Sequence, residues 1–104
     1  MNTYKKGRRG EKRAGEKLRK RGHNYIHLSP GSRGPWDVRS TTPSGNIAYT
    51  QVKSGTASMS SKAKRKLKRY AEKRGAIAMY ARENRGRVRI RVLANYAKKK
   101  RHRH

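Results

Sequence analysis

The sequence predicts a single α/β domain with the order α-β-β-β-α-β-β, a mixed sheet flanked by helices, on three observations. The chain has 104 residues, room for one modest core and not for two. Two segments dense in Lys, Arg, Glu and Ala place apolar residues at helical spacing. Five shorter segments rich in Ile, Val, Tyr and Thr lie between Gly, Pro and Asn punctuation, the pattern of strands and turns. The elements divide the chain into a basic lead-in over 1–9, a domain over 10–97 and a basic tail over 98–104.

The first helix is expected from Gly10 to Arg21, where Ala14 and Leu18 share one face and Gly22 supplies a stop. Asn24–Leu28 reads as a strand, and Ser29–Pro35 as a loop broken by Pro30, Gly31, Gly34 and Pro35. Trp36–Thr41 reads as the second strand, Thr42–Asn46 as a turn and Ile47–Lys53 as the third strand. A small-residue linker over Ser54–Met59 leads to Ser60 or Ser61, either able to cap a helix reaching Arg74. Ala63, Leu67, Tyr70 and Ala71 would form its buried stripe, and Gly75 ends it. Ala76–Ala81 is nearly all apolar, as in a strand covered on both faces. After a turn at Asn84–Gly86, Val88, Ile90 and Val92 alternate with Arg87, Arg89 and Arg91, so one face packs and the other is cationic.

Charge narrows the partner. Lys and Arg number 31 against 5 Asp and Glu, a formal net charge of +26. Nucleic acid is the partner such a charge fits best, because neutralised phosphates release their condensed counterions. A membrane surface would call for a basic helix with a broad apolar face, and the stripes here are narrow. No run approaches the length of a membrane span and no signal-peptide pattern opens the chain, so a cytoplasmic, DNA-associated protein is expected. Cysteine is absent, which excludes disulfides and thiolate metal sites. Four Ile, four Leu, four Val and no Phe make a thin core, one that a polyanion or a partner subunit would help to stabilise.

In so basic a chain the five acids carry the information: Glu11, Glu16, Asp37, Glu72 and Glu83. Glu16 pairs with Lys20 one helical turn on, and Glu72 and Glu83 relieve local positive charge. Asp37 enters a strand behind the Gly/Pro loop, and Gln51-Val52-Lys53 follows fourteen residues later. If those strands pair, a carboxylate, an amide and an ammonium converge at one sheet end. Such oxygens suit Mg²⁺, which can polarise a phosphodiester. The same spacing also fits a strand-capping Asp with a surface Gln and Lys.

The order Gly7-x₃-Glu11, Leu18, Gly22, a β segment, Gly31-Ser32, Asp37-Val38 and Gln51-Val52-Lys53 resembles the PD-(D/E)XK nucleases, in particular archaeal Holliday junction resolvases. The likeness continues through Arg74–Arg82 and Val88–Leu93, and so spans residues 5–93. It implies a restriction-endonuclease-like fold and a metal-dependent endodeoxyribonuclease that uses Mg²⁺ or Mn²⁺, needs no small-molecule cofactor, and cuts branched DNA as a two-fold homodimer. Glu11 would orient the attacking water or help hold the metal, Asp37 would be the central ligand, and Val52 would lend its carbonyl. Gln51 stands where the family usually has an acid, and Lys53 is the lysine that activates water or stabilises the transition state. Ser32 would bring a hydroxyl near the scissile phosphate. Trp36 replaces the proline of the motif. Gln51 removes one negative charge from the site, as in Mrr-like nucleases with Q-x-K.

Arg8, Arg9, Lys12, Arg13 and Arg33 are the residues expected on the DNA backbone. The readings that compete are an Mrr-like endonuclease indifferent to junctions, and a non-catalytic basic nucleic-acid-binding protein on the same fold. His23 and His27 lack partners of metal-site spacing and are expected to be structural; His102 and His104 sit in the tail. Trp36 and Tyr49 are expected mainly in packing.

Overall fold

A computed structural model describes residues 3–29 and 34–97. Its elements are α1 (Thr3–Lys20), β1 (Asn24–Leu28), β2 (Val38–Thr41), β3 (Ile47–Ser54), α2 (Ser61–Arg74), β4 (Ile77–Asn84) and β5 (Arg87–Asn95). The five strands form one sheet in sequence order. All neighbours are antiparallel except β3 and β4, which run parallel because α2 carries the chain back between them. Element order and sheet type agree with the sequence reading.

Several boundaries differ from that reading. The first helix begins at Thr3 and takes in most of the expected lead-in, so Gly10 lies inside it. The reason for a glycine inside the helix is a contact through space: a Cβ on Gly10 would run into the Ser54 hydroxyl at the end of β3. Glycine there buys close approach of helix to sheet rather than a helix start. Strand β2 begins at Val38, leaving Trp36 and Asp37 outside the ladder, and β4 runs on to Asn84. At the second helix the reading holds in detail. The Ser60 hydroxyl accepts the Ala63 N–H at 3.1 Å, and Gly75 closes the helix in the left-handed region. The basic tail over 98–104 lies outside the described residues.

Alternation along the strands sorts the core into two layers. On one face Ala14 and Leu18 of α1 meet Val38, Ala48, Val52, Ile77, Met79 and Ala81. On the other, Leu67 and Ala71 of α2 meet Tyr49, Ala76, Ala78 and Tyr80. Many of these contacts are made by alanine, which lets helices sit close on the sheet while burying little apolar area per residue. Aromatic rings thicken the second layer: Tyr49 lies 5.6 Å from Trp36 and meets Tyr70 edge-on at 4.9 Å. Trp36 and Tyr49 therefore pack, as expected. His23 is buried with its Nδ1 2.8 Å from the Ser40 hydroxyl, a structural tie between the end of α1 and β2. Burial, with the Arg21 charge, lowers its pKa.

Candidate active site

The chain leaves β1 at Leu28 and re-enters the sheet at Val38, and Asp37 stands at that re-entry. Its N–H donates to the Thr50 carbonyl at 2.8 Å, and its carbonyl accepts the Ser29 N–H at 2.7 Å. Both backbone groups being held, the side chain has a fixed direction. Asp37 Oδ2 accepts the Val52 N–H at 2.8 Å, a bond that replaces the ladder contact β2 is too short to make. The carboxylate thus occupies the split where β2 and β3 part. A strand residue sends its N–H and C=O from the same edge, so the Val52 carbonyl opens onto that split.

Glu11, on the face of α1 turned to the sheet, and Asp37 are both buried. Burial pushes the Asp37 carboxyl up, while the Val52 N–H and the Lys53 charge pull against it. Burial also raises Glu11, the Asp37 charge adds to the rise, and Arg8 opposes it. Arg8 donates to Glu11 Oε1 at 3.1 Å and to the Ser29 carbonyl at 3.1 Å. The structure therefore gathers Glu11, Asp37, Val52 and Lys53, with Arg8 tying α1 to the segment behind β1.

Gln51 lies on the same face of β3 as Lys53 and looks towards α2. There it lines a cleft of about 400 Å³ with Gly34, Pro35, Ala63 and Lys66. Ser32 and Arg33 lie outside the described residues. Of the arginines and lysine expected on DNA, Arg9 and Lys12 are exposed around Glu11. Arg8 and Arg13 each hold an ion pair within the protein, Arg8 with Glu11 and Arg13 with Glu83 at 2.8 Å.

Glu83 is the residue that sequence reasoning undervalued. It is buried near the end of β4 and accepts the Gly86 N–H at 3.0 Å as well as Arg13. Those partners hold its carboxyl below the ordinary range, the Gly86 bond most. The signal is thin, because a sequence separation of 70 between Arg13 and Glu83 hides the pairing.

The oxygens at the split suit a hard divalent cation, which would favour the ionised form of two carboxyls that burial raises. Among the described residues no three of His, Cys, Asp and Glu gather. A third ligand to such an ion would have to be a neutral oxygen, for which the Val52 carbonyl and the Gln51 amide are the candidates.

The elements make a single α/β domain whose five-stranded mixed sheet has a buried Glu on α1, an Asp at the mouth of β2 and Q-x-K on β3 ahead of a crossover helix. Among solved structures it is similar to Hjc, a Holliday junction resolvase from the archaeal hyperthermophile Archaeoglobus fulgidus. The TM-score is 0.65 at 23% identity, over 82% of this chain and 70% of that one. At that identity the likeness establishes the fold. No protein-family model matches the chain, and no curated protein matches it in sequence.

Proposed function

We propose that the protein is a metal-dependent endonuclease of the Holliday junction resolvase type, hydrolysing phosphodiesters in branched DNA as a homodimer. One observation carries the reading: a buried Asp37 carboxylate fixed on the Val52 N–H, with the Lys53 charge acting on it and its own charge acting on Glu11. Asp37, Glu11 and the Val52 carbonyl would hold Mg²⁺ or Mn²⁺, with the Gln51 amide as a further donor. When bound, the ion supplies Lewis-acid polarisation of the phosphodiester and lowers the pKa of water. Lys53 offsets negative charge developing on the phosphoryl oxygens. Arg8 directs Glu11 and favours its ionised form, and Arg9, Lys12 and Arg33 hold the backbone on either side.

The test is nicking of a four-way junction and a linear duplex by wild type and Asp37→Asn, with Mg²⁺ or EDTA. Paired symmetric nicks in the junction are expected only from wild type with metal, and Asp37→Asn should lower the rate at least about a hundredfold. Equal cutting of both substrates would assign a general, Mrr-like endonuclease. Binding without nicks, equal in both proteins, would leave a non-catalytic binder.

A further inference from the structure

The face of the sheet turned towards α2 changes character along its length. Near the start of β4 it is apolar and covered by the helix; beyond Tyr80 it is cationic. Register sets the arrangement: Lys53 of β3 lies beside Arg82 of β4, and Arg82 faces Arg89 of β5. Two residues either way, Tyr80 faces Arg91 and Asn84 faces Arg87. Arg82, Arg87, Arg89 and Arg91 are all exposed. Arg82, Asn84, Arg85, Arg87 and Arg89 line a depression of about 540 Å³.

Like charges directly opposite on neighbouring strands destabilise a sheet. Here nothing on the face offsets them, because Glu83 is the one acid of β3, β4 and β5 and it belongs to the opposite face, bound to Arg13. Among the described residues the ion pairs are Arg8–Glu11 and Arg13–Glu83, so these cations have no protein counter-charge. Arg87, Arg89 and Arg91 recur about every 7 Å along an extended strand, a spacing suited to successive backbone phosphates. The row ends at Lys53, beside the Asp37 site.

We propose that this β3–β5 face is a DNA backbone-binding platform, which carries the strand leading away from the phosphate at Asp37. The proposal rests on the DNA-binding part of the reading above and not on cleavage. The cationic face of α2 meets the sheet at the Gln51 cleft through Lys66 rather than along the β5 row, and Arg19 and Arg21 lie at the other end of the sheet, where Gly22 meets Pro43 and His23 meets Ser40.

The experiment measures binding of a short DNA duplex in EDTA, where cutting is silent, as a function of NaCl. Three proteins are compared: wild type, a triple variant (Arg87→Gln, Arg89→Gln, Arg91→Gln), and an equal-charge control away from the platform (Arg19→Gln, Arg21→Gln, Lys73→Gln). Loss of three phosphate contacts lowers the slope of log affinity against log salt by about 2 to 3, and the control should lose less than about 1. In wild type, bound DNA should protect Arg82, Arg87, Arg89 and Arg91 from phenylglyoxal more than it protects Arg19 and Arg21, a readout independent of variant folding. Equal loss in the two triple variants, or equal protection of the two groups, would overturn the platform. Neither result depends on whether junction DNA is cut, so this proposal and the nuclease reading fail separately.

Discussion

Two buried carboxylate sites lie at the same end of the sheet and have opposite electrostatic fates. Glu83 is surrounded by donors: the Arg13 guanidinium, the Gly86 N–H and the Ser54 side chain, and its pKa is lowered. Asp37 and Glu11 share a site in which each is raised, chiefly by burial, and the charge of Asp37 pushes Glu11 higher. A chain with 31 Lys and Arg has cations to spare, so the shortfall at Asp37 is no accident of composition. One acid is held for the fold. The other two are held in spite of it, the pattern expected where negative charge is kept available for an external cation.

The comparison predicts stability effects of opposite sign, and the largest should come from Glu83. Glu83→Ala strands the Gly86 N–H and Arg13 and should cost about 2 kcal/mol, roughly 10 °C in Tm for a domain of this size. Asp37→Asn keeps an oxygen for the Val52 N–H and removes a charge that burial disfavours. It should leave stability unchanged or raise it by about 1 kcal/mol in metal-free buffer at pH 7. Thermal unfolding in EDTA checks both. A fall for Asp37→Asn as deep as that for Glu83→Ala would erase the distinction between the two sites.

Gln51 sharpens the contrast further. Replacing it with Glu adds the acid that the site lacks, so Gln51→Glu should tighten Mn²⁺ binding about tenfold, since affinity at oxygen sites follows ligand charge. Without metal the same change should lower Tm by a few degrees, because a third carboxylate repels the other two. Calorimetric titration with Mn²⁺ measures the first effect. Unchanged affinity would mean that Gln51 serves the cleft under α2 and lies outside the ion's ligands.

The features legible in the sequence were those that local chemistry writes. Ser60 and Gly75 bracket α2 because a hydroxyl cap and a left-handed glycine are local requirements. Alternation in Val88–Leu93 and the apolar run before it marked β5 and β4. Asp37 and Lys53 stood out because acids are scarce and because the order of motifs resembled a known one. The features that escaped depend on contacts made through space. Gly10 reads as a helix start in sequence, and only the Ser54 hydroxyl beneath it accounts for its place inside α1. The Arg13–Glu83 pair needed α1 laid across the sheet, and the Lys53–Arg82–Arg89 row needed the parallel register of β3 on β4.

The smallest expected effect concerns acid, and it tests the comparison through its sign. Glu83 has a folded pKa below its unfolded one, so its contribution is present at neutral pH and is lost as pH falls through the carboxylate range. Asp37 has a folded pKa above its unfolded one. Its ionised form therefore weakens the fold at neutral pH, and that penalty is relieved as pH falls through the same range. In metal-free buffer, Glu83→Gln should be less stable than wild type at pH 7, and the gap should narrow towards pH 4. Asp37→Asn should start level with or above wild type at pH 7, and any advantage should shrink over the same interval. Each pair of Tm curves then converges on acidification from its own side, by a few degrees at most. Convergence of both variants from the same side would mean that Asp37 is as well compensated as Glu83, leaving no uncompensated charge at the split to draw a cation.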